Sequence, residues 1–145
     1  MKIRKAKITD MGQINDLNER YFHEKGRDFE KYIKSKEYEI VVADEAGRVI
    51  GFTGFKYQNW NKSAEIIDIF VHPKFRKQGI GSKLIKALIG KAKEGDVRVL
   101  IAEAPSRNPV FYLYKKLGFR KCGYNDRYYD NLGEEKAIFM SFDMK

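Results

Sequence analysis

Apolar residues along this chain follow two rhythms, one of period two and one near 3.6. Residues 3–8 read as a short first strand. Met11, Ile14, Leu17 and Tyr21 then fall on one helical face. Thr9 or Asp10 can cap that helix, and Gln13 stands three residues after Asp10 as in a capping box. Gly26 breaks the helix, and residues 28–35 form a second, short one carrying Phe29, Tyr32 and Ile33. Such a stretch reads as a cover for a sheet more readily than as a substrate contact. Residues 38–43 and 49–57 alternate as strands, joined by the turn Asp44-Glu45-Ala46-Gly47 into an antiparallel hairpin. Gly51 and Gly54 inside the second of these strands predict a bulge or a close backbone approach.

The segment 66–93 organises the rest. Residues 66–71 are a β-branched apolar run typical of a buried strand. His72-Pro73 stops it, and a basic turn follows, Arg76-Lys77-Gln78-Gly79-Ile80-Gly81. Ile80, Leu84, Ile85, Leu88, Ile89 and Ala92 then recur at helical spacing. Strand, glycine turn and helix start make an anion site, because the first amides of a helix lack internal partners and carry the positive end of its dipole. Glycines let phosphates come close to that backbone. No acidic residue lies between Asp68 and Glu94, while seven lysines and arginines do.

After Gly95-Asp96 a strand spans 97–102, parallel to the central one because a helix crosses over between them. Pro109 suits the first turn of a helix ending near Leu117, with Gly118 as its cap. Residues 119–124 and 136–143 close the chain as a hairpin. The order βααβββαβαββ predicts an α/β (α+β) fold: a mixed, twisted sheet of about seven strands with helices on both faces. Residues 1–145 read as a single domain.

Composition narrows the function. Hydrophobic residues make up 43% of the chain and aromatics 14%, as expected of a globular protein. The net charge of +9 admits a nucleic acid, an anionic membrane surface or an anionic small ligand. Basic residues concentrate in 72–93 and 104–121, which favours the small ligand. No stacking motif or basic recognition helix supports nucleic acid binding. Cys122 is the only cysteine, which points to a reducing compartment, and it has no neighbours at metal-ligand spacing. Without a leader-like or membrane-spanning run, a cytoplasmic location with no membrane partner is expected.

The turn fits neither familiar nucleotide motif. A Walker A loop needs G-x-x-x-x-G-K-[ST], whereas here the order is Gly79-Ile80-Gly81-Ser82-Lys83, and Leu84 stands where the dinucleotide fingerprint needs its third glycine. The longer pattern V-x-P-x-x-R-x-x-G-I-G-x-x-L over 71–84 resembles the acetyl-coenzyme A signature of the GNAT superfamily of N-acetyltransferases. A second block, Asn108-Pro-Val-Phe-Tyr-Leu-Tyr114-Lys-Lys-Leu-Gly118-Phe119, is similar to that superfamily's N…Y-x-K-x-G-F segment. In motif the chain is nearest to the branch that acetylates ribosomal-protein N-termini.

The resemblance implies acetyl-CoA as cosubstrate, held where two parallel strands splay apart. It assigns the backbone of Ile69, Phe70 and Val71 to the pantetheine arm and thioester. Lys77, Gln78, Gly79, Ile80, Gly81 and Ser82 would hold the pyrophosphate, with Arg76 adding charge and Asn108 completing the site. Transfer of acetyl to an amine needs a base for the amine proton, stabilisation of the carbonyl oxygen and an acid for the leaving thiolate. The resemblance gives the last role to Tyr114. For the base it offers Glu103, at the end of the second parallel strand, or Glu65, at the start of the central one; Glu103 is preferred. Asp68, three residues from Glu65, belongs on the opposite strand face unless a bulge intervenes.

Two departures stand out. Asn108 and Tyr114 are six residues apart where the superfamily more often has seven, and Phe111 replaces a small residue. Tyr124, Tyr128 and Tyr129 lie in what resembles the terminal hairpin of N-terminal protein acetyltransferases. Trp60, in the loop 58–62, reads as a packed surface aromatic rather than an exposed one at the acceptor entrance. The resemblance implies an acceptor that is a primary amine of a small molecule or of a protein N-terminus. A noncatalytic acyl-CoA-binding module of the same fold is the alternative, and a homodimer is left open.

Overall fold

The computed structural model describes residues 1–22 and 27–144. The expected break at Gly26 lies outside them. The strands are β1 (Lys2–Lys5), β2 (Tyr38–Glu45), β3 (Arg48–Gln58), β4 (Ser63–Val71), β5 (Val99–Pro105), β6 (Arg120–Asn125) and β7 (Ala137–Asp143). The helices are α1 (Met11–Leu17), α2 (Phe29–Lys34), α3 (Ile80–Glu94) and α4 (Val110–Lys116). All seven strands join one sheet in the order β1-β2-β3-β4-β5-β7-β6. Only β4 and β5 are parallel; every other pair is antiparallel.

Each face of the sheet has its own apolar cluster. On one face the α3 stripe Ile80, Leu84, Ile85, Leu88, Ile89 and Ala92 is buried against Val41, Ile50 and Leu100, as the helical spacing predicts. Full burial of each leucine or isoleucine contributes about 1.5–3 kcal/mol. Tyr114 of α4 belongs to the same cluster. On the other face Ile14 and Leu17 of α1 and Phe29 of α2 meet Val42, Phe52 and Phe70. The helices therefore cover both faces of a mixed sheet.

Local boundaries differ from the sequence expectation for identifiable reasons. The first strand stops at Lys5 rather than Ile8, because the Asp10 carboxylate accepts the Lys7 N–H (2.7 Å) and winds Ile8–Asp10 into a 3-10 turn. Asp10 is also held by Arg4 at 2.8 and 2.9 Å, so it forms no capping box with Gln13. Gln13 instead bridges to the β2–β3 turn, donating to Gly47 O and accepting from Val49 N. The central strand starts earlier than expected, at Ser63, and β5 runs on to Pro105.

The two strand glycines mark both effects expected of them. A Cβ on Gly51 would lie 2.7 Å from Phe70 O, and one on Gly54 would lie 2.4 Å from Ile40 Cδ1. Each glycine also adjoins a register shift. Gly51 pairs with Ala43 while Val49 pairs with Asp44, leaving Ile50 extra. Gly54 pairs with Asp68 while Phe55 pairs with Ile66, leaving Ile67 extra. The second bulge is what brings Asp68 onto the same face of β4 as Glu65.

Candidate active site

Parallel pairing between β4 and β5 is brief: Ser63, Ala64 and Glu65 pair with Val99, Leu100 and Ile101, and the ladder goes no further. Both strands continue past that point, β4 to Val71 and β5 to Pro105. They do so on diverging courses, which opens the splay. On the β3 side, the His72 N–H donates to Ile50 O at 2.7 Å. By strand alternation the Phe70 peptide shares that direction and pairs within the ladder, whereas Ile69 and Val71 turn theirs toward the gap. Of the three strand residues expected to offer amides, Ile69 and Val71 are the ones so aimed.

A cleft of about 1130 Å³ occupies this gap. Its floor is β4 from Ile66 to Val71. One end is formed by Arg76, Lys77, Gly79, Ile80 and Gly81, the opposite wall by Glu103, Asn108 and Tyr114. Gln78 and Ser82, also expected to bind, do not line it. Ser82 can still take part through its peptide. The first hydrogen bond within α3 runs from Lys83 N to Gly79 O (3.1 Å), so the amides of Ile80, Gly81 and Ser82 have no intrahelical acceptor.

The turn before α3 is built for an anion. Gly79 adopts φ +79° and Lys77 φ +62°, a left-handed path that Gly accepts freely and Lys does not. It leads straight into a 15-residue helix without an acidic residue in its first turn. Arg76 folds back, its Nε donating to Val71 O at 2.8 Å, with the guanidinium 6.0 Å from the centre of the Phe70 ring. Gly81 is bare toward the cleft: a Cβ there would sit 3.4 Å from Leu113 Cδ2 and 3.7 Å from Ile69 Cδ1. A strand with free peptides, a glycine-bearing turn and a cationic rim together suit a long, phosphate-bearing thioester.

Glu103 lies inside β5 rather than at its end, paired with Phe139 of β7. Its Oε1 is buried without a hydrogen-bond partner among the described residues. Burial, and after it the charge of Glu65, push its pKa above the ordinary carboxylate value. Tyr114 is only 2% exposed, its ring 5.1 Å from that of Phe119. Burial first, then the nearby Glu103, raise its phenol pKa. Asn108 accepts the Val110 N–H through Oδ1 (2.9 Å) and so starts α4. Phe111 packs against the core beside Tyr112 and does not line the cleft, despite its bulk.

The far end of the cleft joins the tyrosine pair Tyr128-Tyr129 of the terminal hairpin to residues the sequence did not place at a site, Tyr21, Phe22 and Arg27. Tyr21 and Phe22, at the end of a widened turn (Asn18–Phe22) that prolongs α1, both pack on Phe70. Arg27 pairs with Asp68, which the bulge at Ile67 has brought to this face. The signal that could have located Asp68 was Gly54, the bulge marker opposite it. Tyr128 and Tyr129 reach the same cleft, ring centres 5.1 Å apart, with Tyr128 also against Phe139. Burial, then Glu103 and Glu65, raise the Tyr128 phenol. Tyr124 stays outside, and Trp60 is 84% exposed, neither packed nor at the cleft. Among the described residues no group of His, Cys, Asp and Glu could hold a metal, and no helix is long and apolar enough to cross a membrane.

Known proteins with related sequences and folds agree with this arrangement. Residues 8–119 match the Acetyltransferase (GNAT) family. A streptothricin acetyltransferase from Streptomyces lavendulae is 33% identical over 74% of this chain, which spans 57% of that protein's length. An N-alpha-acetyltransferase from Sulfurisphaera tokodaii is 30% identical over 94% of this chain and 90% of its own. In fold, the ribosomal-protein-S18-alanine N-acetyltransferase from Escherichia coli superposes with a TM-score of 0.83, at 23% identity, over 99% of this chain and 94% of its own. The yncA protein from Salmonella typhimurium, solved with its cofactor acetyl-CoA, does so with a TM-score of 0.86, at 23% identity, over 100% and 94%. Two sequence blocks, a splayed pair of parallel strands and a family match covering most of its length place this chain in the GNAT acetyltransferase family.

Proposed function

We propose that residues 1–145 form one N-acetyltransferase domain, which moves acetyl from acetyl-CoA to a primary amine of a small molecule or a protein N-terminus. The observation that carries this reading is the splay of β4 and β5, with a buried carboxylate oxygen that has no hydrogen-bond partner among the described residues on its wall, and at its end α3 amides that have no intrahelical acceptor. Glu103 takes the proton from the attacking amine, directly or through one water. Its raised pKa keeps the carboxylate basic enough for the task. The new C–N bond forms as the C–S bond breaks. Peptide N–H groups of Ile69 and Val71 stabilise the carbonyl oxygen as charge builds on it. Tyr114 delivers a proton to the departing thiolate, and its raised phenol pKa ensures that the proton is in place beforehand.

The pyrophosphate rests on the amides of Ile80, Gly81 and Ser82, with Lys77 and Arg76 supplying charge. Gln78 and Gly79 shape the turn, and Asn108 sets the start of the helix that carries Tyr114. Tyr21, Phe22, Tyr128 and Tyr129 form the acceptor end. The test is turnover of acetyl-CoA against a panel of small amines, amino acids and peptides with free N-termini. Acetylated product with release of free thiol supports the reading. Tight acetyl-CoA binding without turnover on any acceptor would instead make this a noncatalytic acyl-CoA-binding module.

A further inference from the structure

We propose that His72 is a positioning residue that ties the acceptor wall of the cleft to the phosphate-binding turn. This inference rests on the acetyl-transfer reading for its kinetic consequences, but its geometry does not. His72 follows β4 directly and is 6% exposed. Its main chain is fixed on both sides: the N–H donates to Ile50 O at 2.7 Å, and the carbonyl accepts Phe75 N–H at 2.8 Å. The imidazole Nδ1 accepts the Lys74 N–H at 3.1 Å, which shapes the start of the turn running to Gly79.

That acceptor role fixes the tautomer. With Nδ1 bare, the ring proton sits on Nε2. Nε2 lies 3.3 Å from Tyr21 Oη and 3.4 Å from an Arg48 Nη. Arginine offers no acceptor, so the Nε2–H donates to the Tyr21 oxygen. Tyr21 therefore keeps its own hydroxyl hydrogen for the cleft that it lines. The Tyr21 ring, 5.2 Å from that of Phe70, is held between β4 and this bond. Burial, with the charges of Arg48, Lys74, Arg20 and Arg76 around the ring, keeps the imidazole neutral. Asp16, paired with Arg20, is the one carboxylate among the described residues that lines the small cavity beside it. A single neutral ring thus serves two clients, the turn through Nδ1 and the acceptor wall through Nε2.

Two substitutions separate the two bonds. His72→Asn keeps an acceptor near the Nδ1 position and removes the Nε2 donor. His72→Gln reaches the Nε2 position and removes the Nδ1 acceptor. Losing one such bond is expected to change a binding constant about fivefold. His72→Asn and Tyr21→Phe should each raise the acceptor KM with acetyl-CoA affinity unchanged, and the double variant should be no worse than the worse single one. His72→Gln should weaken acetyl-CoA binding and spare the acceptor KM.

Full additivity in the double variant, or an unchanged acceptor KM in both single ones, would overturn the link. If the His72 variants do not fold, Tyr21→Phe, which deletes one hydroxyl, still decides it. Nitrogen-15 spectra of the imidazole give a readout free of turnover, eased by there being only two histidines. The Nε2–H form at pH 7, perturbed by Tyr21→Phe, supports the proposal. An Nδ1–H or doubly protonated ring defeats it. A failed acceptor panel with the expected spectrum would sink the acetyl-transfer reading and leave the link standing.

Discussion

Glu65 and Glu103 stand on one face of the two parallel strands, at the point where β4 and β5 part, and the charge of the first adds to burial in raising the pKa of the second. Ile101 pairs with Glu65, and Glu103 lies two residues further along the same strand. The two carboxylates that compete for the role of base from sequence are thus physically coupled. Only Glu103 lines the cleft.

This coupling predicts a particular pH profile. The proposed base works unprotonated, so kcat/KM should rise with pH through an apparent pKa above the usual glutamate range of about 4.3. Replacing Glu65 with Gln removes the smaller of the two causes and should move that limb toward lower pH, though not all the way, because burial remains. Glu103→Gln should lower kcat/KM by about 10²–10⁴ and erase the limb. A limb unmoved in the Glu65 variant would disconnect the two residues.

Tyr114 offers a test that separates chemistry from packing. Its ring fills the core against Phe119, and Tyr114→Phe preserves that contact. Thermal unfolding should stay within a few degrees of the parent, since about 1 kcal/mol shifts a domain of this size by only about 2–8 °C. Acetyl transfer should fall by about 10²-fold or more if the phenol protonates the thiolate. Tyr114→Ala removes the ring as well and should cost about 3–5 kcal/mol of stability. Equal rates for the Phe variant and the parent would pass the acid's role to solvent.

Glycines on either side of β4 should respond in opposite ways to one added methyl. At Gly81 a Cβ meets Leu113 and Ile69 at ordinary contact distance, so Gly81→Ala should leave stability nearly intact. The methyl faces the cleft beside the α3 amides, and acetyl-CoA affinity should drop, measured by calorimetry. At Gly54 the Cβ would fall 2.7 Å from Glu39 O as well as on Ile40, within a sheet that cannot yield cheaply. Gly54→Ala should cost about 1–3 kcal/mol in urea unfolding. A stable Gly54 variant would mean that the β2–β3 spacing relaxes freely.

Much of this was legible in the sequence because the signals were local. The six buried residues of α3 follow from spacing alone, and the anion turn follows from glycines, cations and a helix start in one stretch. The acceptor end was legible only in part: the pair Tyr128-Tyr129 stands out in the sequence and lines the cleft, but the rest depends on register. Asp68 reaches that face through one extra residue at Ile67, and no periodicity rule announces which residue of a strand is the surplus one. Tyr21 looked like another apolar residue of a helix face until the widened turn at Asn18–Phe22 carried it to the cleft. The placement of β7 between β5 and β6 was likewise hidden, since consecutive hairpin strands pair the same way whichever lies outside. Asp10 and Gln13 show the local rules losing outright, as Arg4 and the β2–β3 turn offered stronger partners than a capping box.

That Arg4–Asp10 pair yields the last prediction. Asp10 is 4% exposed and accepts from two Arg4 nitrogens and from Lys7 N, while Arg4 Nε reaches Asp44 at 3.0 Å. Its pKa is lowered chiefly by the Arg4 hydrogen bonds, against the opposing cost of burial. A carboxylate with a depressed native pKa stabilises the fold fully above its unfolded value, near 3.9, and loses that contribution as pH falls through the native value. Asp10→Asn should therefore cost about 1.5–3 kcal/mol at pH 7, the range for hydrogen bonds to charged groups. The gap between variant and parent should narrow as the pH drops below about 3.9, where the unfolded parent's carboxylate takes up a proton while the native one, held by Arg4, still resists it. Urea titrations at pH 7 and pH 3 measure both. The pair lies outside the cleft, so acetyl-CoA affinity at pH 7 should not change. A gap that stays constant with pH would show that Asp10 acts through the shape of the 3-10 turn rather than through its charge.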